Sequence, residues 1–380
     1  MKAIETPWLS RATLALAVAL AGVAALPGVA AAGTVSISTT LGQLTYTGDS
    51  GPNTVTIAWD GTAYTVTDSV PIAANPASGC ILVTANTASC PDVAIGSIRA
   101  SVAPSASSTD VSNTITLDPS LPDDEPATVQ GAAGADTFAG QAAAETFNGA
   151  DGDDAASGGS GNDALYGDAG GDHLSGGDGH DNLRGNNPGN SFRTRDSADT
   201  LQGGAGDDFM TGHEGSDMID GGTGRDTADY TEKKDFDPIG VTLDDDTTRN
   251  DGGASDGTAG NRDVVRTNVE QIIGGEGADT IRDALTASTV DHTFEGRAGS
   301  DVMNGGLGND SLAGGDGGDT LTGGAGIDSL LGGGGDDQLF ARDGISETTV
   351  DCGTGTDSAQ IDGVTAADAA TGCETVDAAG

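Results

Sequence analysis

The sequence predicts an all-β protein: a parallel β-roll, or β-solenoid, of nine-residue repeats preceded by a small β-rich domain. Three observations predict it. A nine-residue frame runs without insertion from Gly131 to Asp229. An oxygen-bearing side chain recurs at its sixth position and an apolar one at nearly every eighth. Ahead of the frame, β-branched residues alternate with polar ones, and convincing helical periodicity is missing after residue 32.

Residues 1–32 read as an export signal. Lys2 and Arg11 flank a charged start, Ala12 to Leu26 is uncharged and apolar, and Ala30-Ala31-Ala32 supplies the small-residue cleavage pattern, so the processed chain is expected to begin near Gly33. The competing reading, a membrane anchor, needs about 20 apolar residues. The run offers 15. No second long apolar run, no lipid-accepting Cys after the signal and no Leu-Pro-x-Thr-Gly sorting sequence occurs. A secreted, extracellular product without membrane insertion is expected.

Residues 33–126 form the expected N-terminal β-rich domain. Alternation marks strands at Thr34 to Ser38, Leu44 to Thr47, Thr54 to Trp59 and Ala63 to Thr67, with Asp60-Gly61 as a turn. Pro122-Asp123-Asp124-Glu125-Pro126 reads as a linker. Repeat tract 1 spans residues 127–229. Its frame holds 99 residues, hence eleven copies. Its sixth positions are Asp136, Glu145, Asp154, Asp163, Asp172, Asp181, Asn190, Asp199, Asp208, Asp217 and Asp226. The eighth positions include Phe138, Phe147, Leu165, Leu174, Leu183, Leu201, Met210 and Ile219.

Residues 230–273 lose the period and are rich in Asp and Gly, with one expected strand at Ile239 to Leu243. Tract 2, residues 274–340, restores the frame with Asp279, Asp301, Asp310, Asp319, Asp328 and Asp337 at position six. Asp343 to Gln360 holds two further eroded copies, and residues 341–380 are expected to cap the solenoid's open end. Four cysteines form two local pairs, Cys80 with Cys90 and Cys352 with Cys373. In an oxidising compartment they are most simply two disulfides. The alternative, a metal site, lacks a CxxC spacing and a nearby His.

In such a repeat the glycine-rich positions one to six turn and positions seven to nine form a short strand, so two nonapeptides complete one coil. Asp163 then stacks on Asp181, and Asp310 on Asp328. Carboxylates at the strand spacing of about 4.8 Å repel. A hard divalent cation between them removes the repulsion, and calcium accepts six to eight oxygens in flexible geometry. Calcium is therefore the expected cofactor. Its candidate ligands are Asp136, Asp154, Asp163, Asp172, Asp181, Asp199, Asp208, Asp217, Asp226, Asp279, Asp301, Asp310, Asp319, Asp328 and Asp337. Glu145, Asn190 and His292 depart from the pattern, as do Gln141 to Ala144, which lack the glycines. Position-five aspartates such as Asp153, Asp207 and Asp336 are expected to face solvent.

Composition agrees. Fifteen Lys and Arg against 59 Asp and Glu give a formal charge of −44. Such a chain does not bind nucleic acid by phosphate neutralisation and is disfavoured on anionic membranes. Leu, Ile, Val and Phe number only 66 of 380 residues, a composition usually read as disordered. Two eighth-position side chains per coil bury too little to offset the entropy of ordering it. The remaining free energy is expected from metal binding, so the fold is conditional on calcium.

At these residues the chain resembles the RTX, or haemolysin-type, calcium-binding repeat family, in particular secreted actinobacterial repeat proteins with an N-terminal signal. The resemblance covers Gly131 to Asp229 and Gly274 to Phe340. It implies a calcium-loaded β-roll outside the cell. Many family members leave through a dedicated channel with an uncleaved C-terminal signal, whereas this chain has an N-terminal one.

No catalytic constellation is legible. His213-Glu214-Gly215-Ser216-Asp217 has Asp where a metalloprotease needs its second His. No Gly-x-Ser-x-Gly elbow or phosphate loop occurs. Residues 33–130 contain neither His nor Lys. The sequence thus reads as a secreted, non-catalytic calcium-binding protein. A calcium-rigidified cell-surface adhesion or matrix protein with a partner-binding N-terminal domain is the alternative, and an unrecognised secreted hydrolase the weaker one.

Overall fold

A computed structural model describes residues 33–38, 42–49, 51–91, 95–101, 111–186, 198–232, 238–244, 251–252, 263–285, 289–363 and 369–379. The expected export signal lies outside these residues, as do Asn190 and Phe192 of the seventh repeat copy. The described chain is strand and turn, with one short 3₁₀ turn at Pro76–Ser78 and no α-helix. None of its helices is long and apolar enough to cross a membrane.

Strands of the repeats are short because only positions seven to nine and the next two or three residues can extend before the glycine turn. They pair in parallel with the strand eighteen residues on: Leu165 faces Leu183, Leu174 follows Ala156, and Leu312 faces Leu330. Stacking in this way builds three sheets of 16, 11 and 7 strands. The longest forms one face of the roll along its whole length; the other two follow each other along the opposite face. Parallel sheets hide their apolar rows on the inner face. Here the eighth-position residues Phe147, Leu165, Leu183, Phe294, Leu312 and Leu330 are all at most 1 % exposed. The chain is an all-β parallel β-roll.

Expected strands in residues 33–126 are present at Gly33–Ser38, Gln43–Thr47, Thr54–Trp59 and Ala63–Asp68. Gly61 closes the hairpin between the last two with φ 93°, and Asp60 Oδ1 accepts the N–H of Thr62 and Ala63 at 2.8 and 2.9 Å. These strands belong to the same sheets as the repeats. Gln43–Thr47 pairs in parallel with Ser97–Ser101, which pairs with Ala127–Gln130 and so with Glu145–Asp151. Thr54–Trp59 continues likewise through Thr114–Leu117 to Thr137–Ala139. The inner rows of Tyr46, Val55, Ile57, Ile98 and Ile115 prolong the repeat core without a gap.

Two breaks in the frame are resolved by the pairing. Asn182–Arg184 pairs with Phe209–Thr211, 27 residues on rather than 18, so the frame expected to be uninterrupted contributes one nonapeptide, half a coil, fewer to the stack here. The seventh copy carries Pro188 at its fourth position. Other copies place a positive-φ glycine there, such as Gly161 at 133° and Gly179 at 136°, and proline is locked near −65°.

Between the tracts the long sheet runs on: Thr227–Asp229 pairs with Gln271–Ile273 and that with Thr293–Ala298. On the opposite face one sheet ends at Val264–Val265 and the next begins at Gly240–Leu243. The strand expected at Ile239 to Leu243 therefore starts a new sheet. Asp251 and Gly252 tie these two segments by antiparallel bridges to Asp263 and Gly240. Disulfides Cys80–Cys90 and Cys352–Cys373 lie near the two ends of the roll.

Candidate metal centre

Each candidate site pairs a glycine with the carboxylate five residues later. A Cβ on Gly158 would lie 2.0 Å from Asp163 Oδ2, so only glycine leaves room for that oxygen. Next to Gly149 the same point lies 2.0 Å from Asp154 Oδ2 and 2.7 Å from the carbonyl oxygen of Gly167 in the following coil. Next to Gly314 the corresponding distances are 2.2 Å to Asp319 Oδ2 and 2.6 Å to Gly332 O. The turn thus brings a carboxylate oxygen and a carbonyl oxygen of adjacent coils together over a bare Cα.

Within each tract the sixth-position carboxylates form two rows, one on each face of the roll. Oδ1 of each accepts the main-chain N–H of the sixth residue one coil earlier: Asp163 donates to Asp181 at 2.8 Å, Asp154 to Asp172 at 2.8 Å, Asp301 to Asp319 at 2.8 Å and Asp310 to Asp328 at 2.9 Å. At the frame break the row closes over 27 residues, with Asp172 donating to Asp199 at 2.7 Å and Asp181 to Asp208 at 2.8 Å. Asp199 then donates to Asp217 at 2.9 Å.

Oδ2 is left over. In Asp154, Asp163, Asp181, Asp208, Asp226, Asp301, Asp310, Asp319, Asp328 and Asp337 it is buried and has no hydrogen-bond partner. These residues are at most 2 % exposed. A buried unpaired acceptor costs about 1 to 3 kcal/mol, and more when charged. Burial accordingly pushes the Asp154 carboxyl up to about 8, Asp163 and Asp208 to about 7, and Asp226, Asp301, Asp319 and Asp328 to about 6. Coulombic repulsion from neighbouring carboxylates adds to the rise, as from Asp172 at Asp154 and Asp181 at Asp163.

Among the described residues no three His, Cys, Asp or Glu side chains converge on one point. The donor set is carboxylate plus backbone carbonyl, all oxygen. That suits calcium, which takes many oxygens at about 2.3 to 2.6 Å, and does not suit ions preferring thiolate or imidazole. An orphaned buried carboxylate oxygen beside a glycine-only space is the feature a bound cation resolves.

Two of the candidate residues differ. Asp136 accepts the Asn113 N–H on Oδ1 and the Ala132 N–H on Oδ2, at 2.7 and 2.8 Å. Asp279 accepts from Ile239 and Gly275 at 3.0 and 2.8 Å. Both stand at the start of a tract. Glu145 turns Oε2 onto the Gln141 N–H, and burial raises its carboxyl to about 8. His292 is buried, its ring stacked on Phe294 with centroids 5.4 Å apart.

The rows also contain residues the frame does not reveal. Asp217 donates its N–H to Asp263, Asp226 to Glu270, Asp328 to Glu347, Asp337 to Asp357 and Asp357 to Glu374. Asp357 alone carried a local signal, in Gly353-Thr354-Gly355-Thr356-Asp357. Asn113 extends one row forward, accepting the Asn53 N–H at 3.1 Å. The position-five residues Asp153, Asp207 and Asp336 are exposed and also make a second ladder. They accept the N–H of Gly171, Arg225 and Thr356 in the next coil at 3.0, 3.0 and 2.9 Å.

Residues 127–156, 157–187, 194–228, 268–283, 293–312 and 313–346 match the family model of the RTX calcium-binding nonapeptide repeat. Residues 127–346 belong to the RTX calcium-binding nonapeptide repeat family. The matched stretches part at residues 188–193, 229–267 and 284–292, where the coil spacing departs from eighteen residues. No curated protein matches the chain. The RTX repeats bind calcium at multiple sites along the roll, and the protein is a calcium-binding repeat protein.

Proposed function

We propose that this RTX protein is exported, that its repeat region is largely unfolded inside the cell, and that it folds into the β-roll on meeting extracellular calcium. The row of buried, unpartnered Oδ2 atoms carries the reading. Without a cation those carboxylates make the roll self-repelling; with one they make it the stable state. The ligands are the sixth-position aspartates with glycine carbonyls. Asp136 and Asp279 already accept main-chain hydrogen bonds on both oxygens, so the first occupied turn of each tract lies one coil later. Sites of extracellular modules bind at about 10⁻⁴ to 10⁻³ M, which fills them outside the cell and leaves them empty within. Two disulfides fit the same environment. The role assigned is structural and calcium-binding, without a catalytic step.

Circular dichroism of the purified protein in chelator and then in millimolar calcium tests this, with calorimetric titration giving the stoichiometry. A large gain of strand signal with calcium is expected. An unchanged strand signal would sink the proposal.

A further inference from the structure

The N-terminal end of the roll differs chemically from the rest of the molecule. Residues 69–91 contain no charged side chain, in a protein of net charge −44. Within them Ile81–Thr84 is the last strand of the 11-stranded sheet, hydrogen-bonded to Thr87–Pro91 on one side only. All four of its residues are exposed, with Ile81 at 49 %, Leu82 at 38 % and Val83 at 61 %. Leu82 stands in register with Ala88, and Ala88 with Val66, both fully buried, so Leu82 continues the core row and is exposed only because no coil lies beyond it.

An edge strand presents unpaired N–H and C=O groups, and proteins commonly blunt it with charge or proline. This strand has neither, being limited only by its four residues and a register irregularity at Leu82/Thr84. At the far end of the roll the corresponding edge, Thr375–Ala379, carries Asp377 and is preceded by Glu374. Two strongly acidic copies repel at every charged surface. They meet with least repulsion through this uncharged edge, with the acidic rolls pointing apart.

We propose that this end is a self-association surface: two copies join head to head about a two-fold axis, Ile81–Thr84 pairing antiparallel with its counterpart and the two Leu82 rows merging. The contact is small, which places the dimer among weak, concentration-dependent assemblies.

Sedimentation equilibrium of the purified protein in millimolar calcium tests it, with the Leu82→Lys, Val83→Lys and Val376→Lys variants alongside. All three positions are exposed, so the fold survives, as circular dichroism verifies. A monomer–dimer equilibrium is expected in the parent. Either N-terminal lysine weakens it at least about tenfold, and Val376→Lys, at the opposite end, leaves it unchanged. A parent that stays monomeric at its highest soluble concentration overturns the proposal and leaves the edge for a strand of another protein. A dimer untouched by Leu82→Lys and Val83→Lys, or broken by Val376→Lys, overturns it as well.

Discussion

At Asp154 one carboxylate oxygen holds the preceding coil through the Asp136 N–H at 2.7 Å, and the other has no hydrogen-bond partner. Separating the two roles gives a substitution whose effect changes sign with the medium. Asp154→Asn keeps the acceptor and removes the charge. In chelator it is expected to stabilise the roll by about 1 to 3 kcal/mol. In calcium it is expected to destabilise it and remove a site, both read from denaturant midpoints. Equal shifts in the two media would rule out Oδ2 as a ligand. Acidity acts in the same direction. The folded carboxyls rise from an ordinary value near 3.8 to between about 6 and 8 at Asp163, Asp301 and Asp154, mainly through burial. A group raised on folding contributes stability that is complete below its unfolded pKa and is lost as pH climbs through the folded one. The calcium-free roll is therefore expected to gain strand content on acidification from pH 8 to pH 5. A flat circular-dichroism profile over that range in chelator would contradict it.

Among the elements, what the sequence could reveal was whatever repeats at short range. Leu312 and Leu330 are eighteen residues apart and their pairing is visible in the frame. The strands of the N-terminal region were legible from alternation, yet their membership of the same roll was not. Leu44 pairs with Ile98 across 54 residues of non-repeating chain, and a parallel pairing over that distance leaves no periodic trace. Asp263 and Glu270 escaped for the same reason, standing 46 and 44 residues beyond the N–H groups they accept. The 27-residue step hides differently, since it is a whole multiple of nine and the frame passes through it undisturbed. That step predicts a tolerated deletion. Removing nine residues between Asn186 and Ala198 restores the eighteen-residue spacing of the Asp163 to Asp181 step. The shortened protein is expected to fold in calcium with its titrated stoichiometry intact. Loss of two or more sites would show that the extra nonapeptide belongs to the ligand rows.

Over the whole molecule, the long sheet joins both tracts, but the carboxylate rows do not run through. On the long face the sixth-position sequence passes Asp226, Glu270, His292 and Asp310, so an imidazole interrupts the carboxylates. On the opposite face one sheet closes with the Asp263 row and another opens at Asp279. Both rows therefore break between residues 263 and 292. In a solenoid each coil is stabilised chiefly by its neighbours, and cooperativity extends only as far as the nearest-neighbour terms remain strong. On the proposed reading calcium supplies those terms within each tract, while the junction is held by the pairing of Thr227–Asp229, Gln271–Ile273 and Thr293–Ala298 and by the bridges of Asp251 and Gly252. At limiting calcium, scanning calorimetry is expected to resolve two unfolding transitions. Asp181→Asn with Asp208→Asn is then expected to lower one of them, that of the first tract, and Asp319→Asn with Asp328→Asn the other. A single transition moved as a whole by either pair would mean that the shared sheet, rather than the metal rows, sets the length over which the roll folds as one.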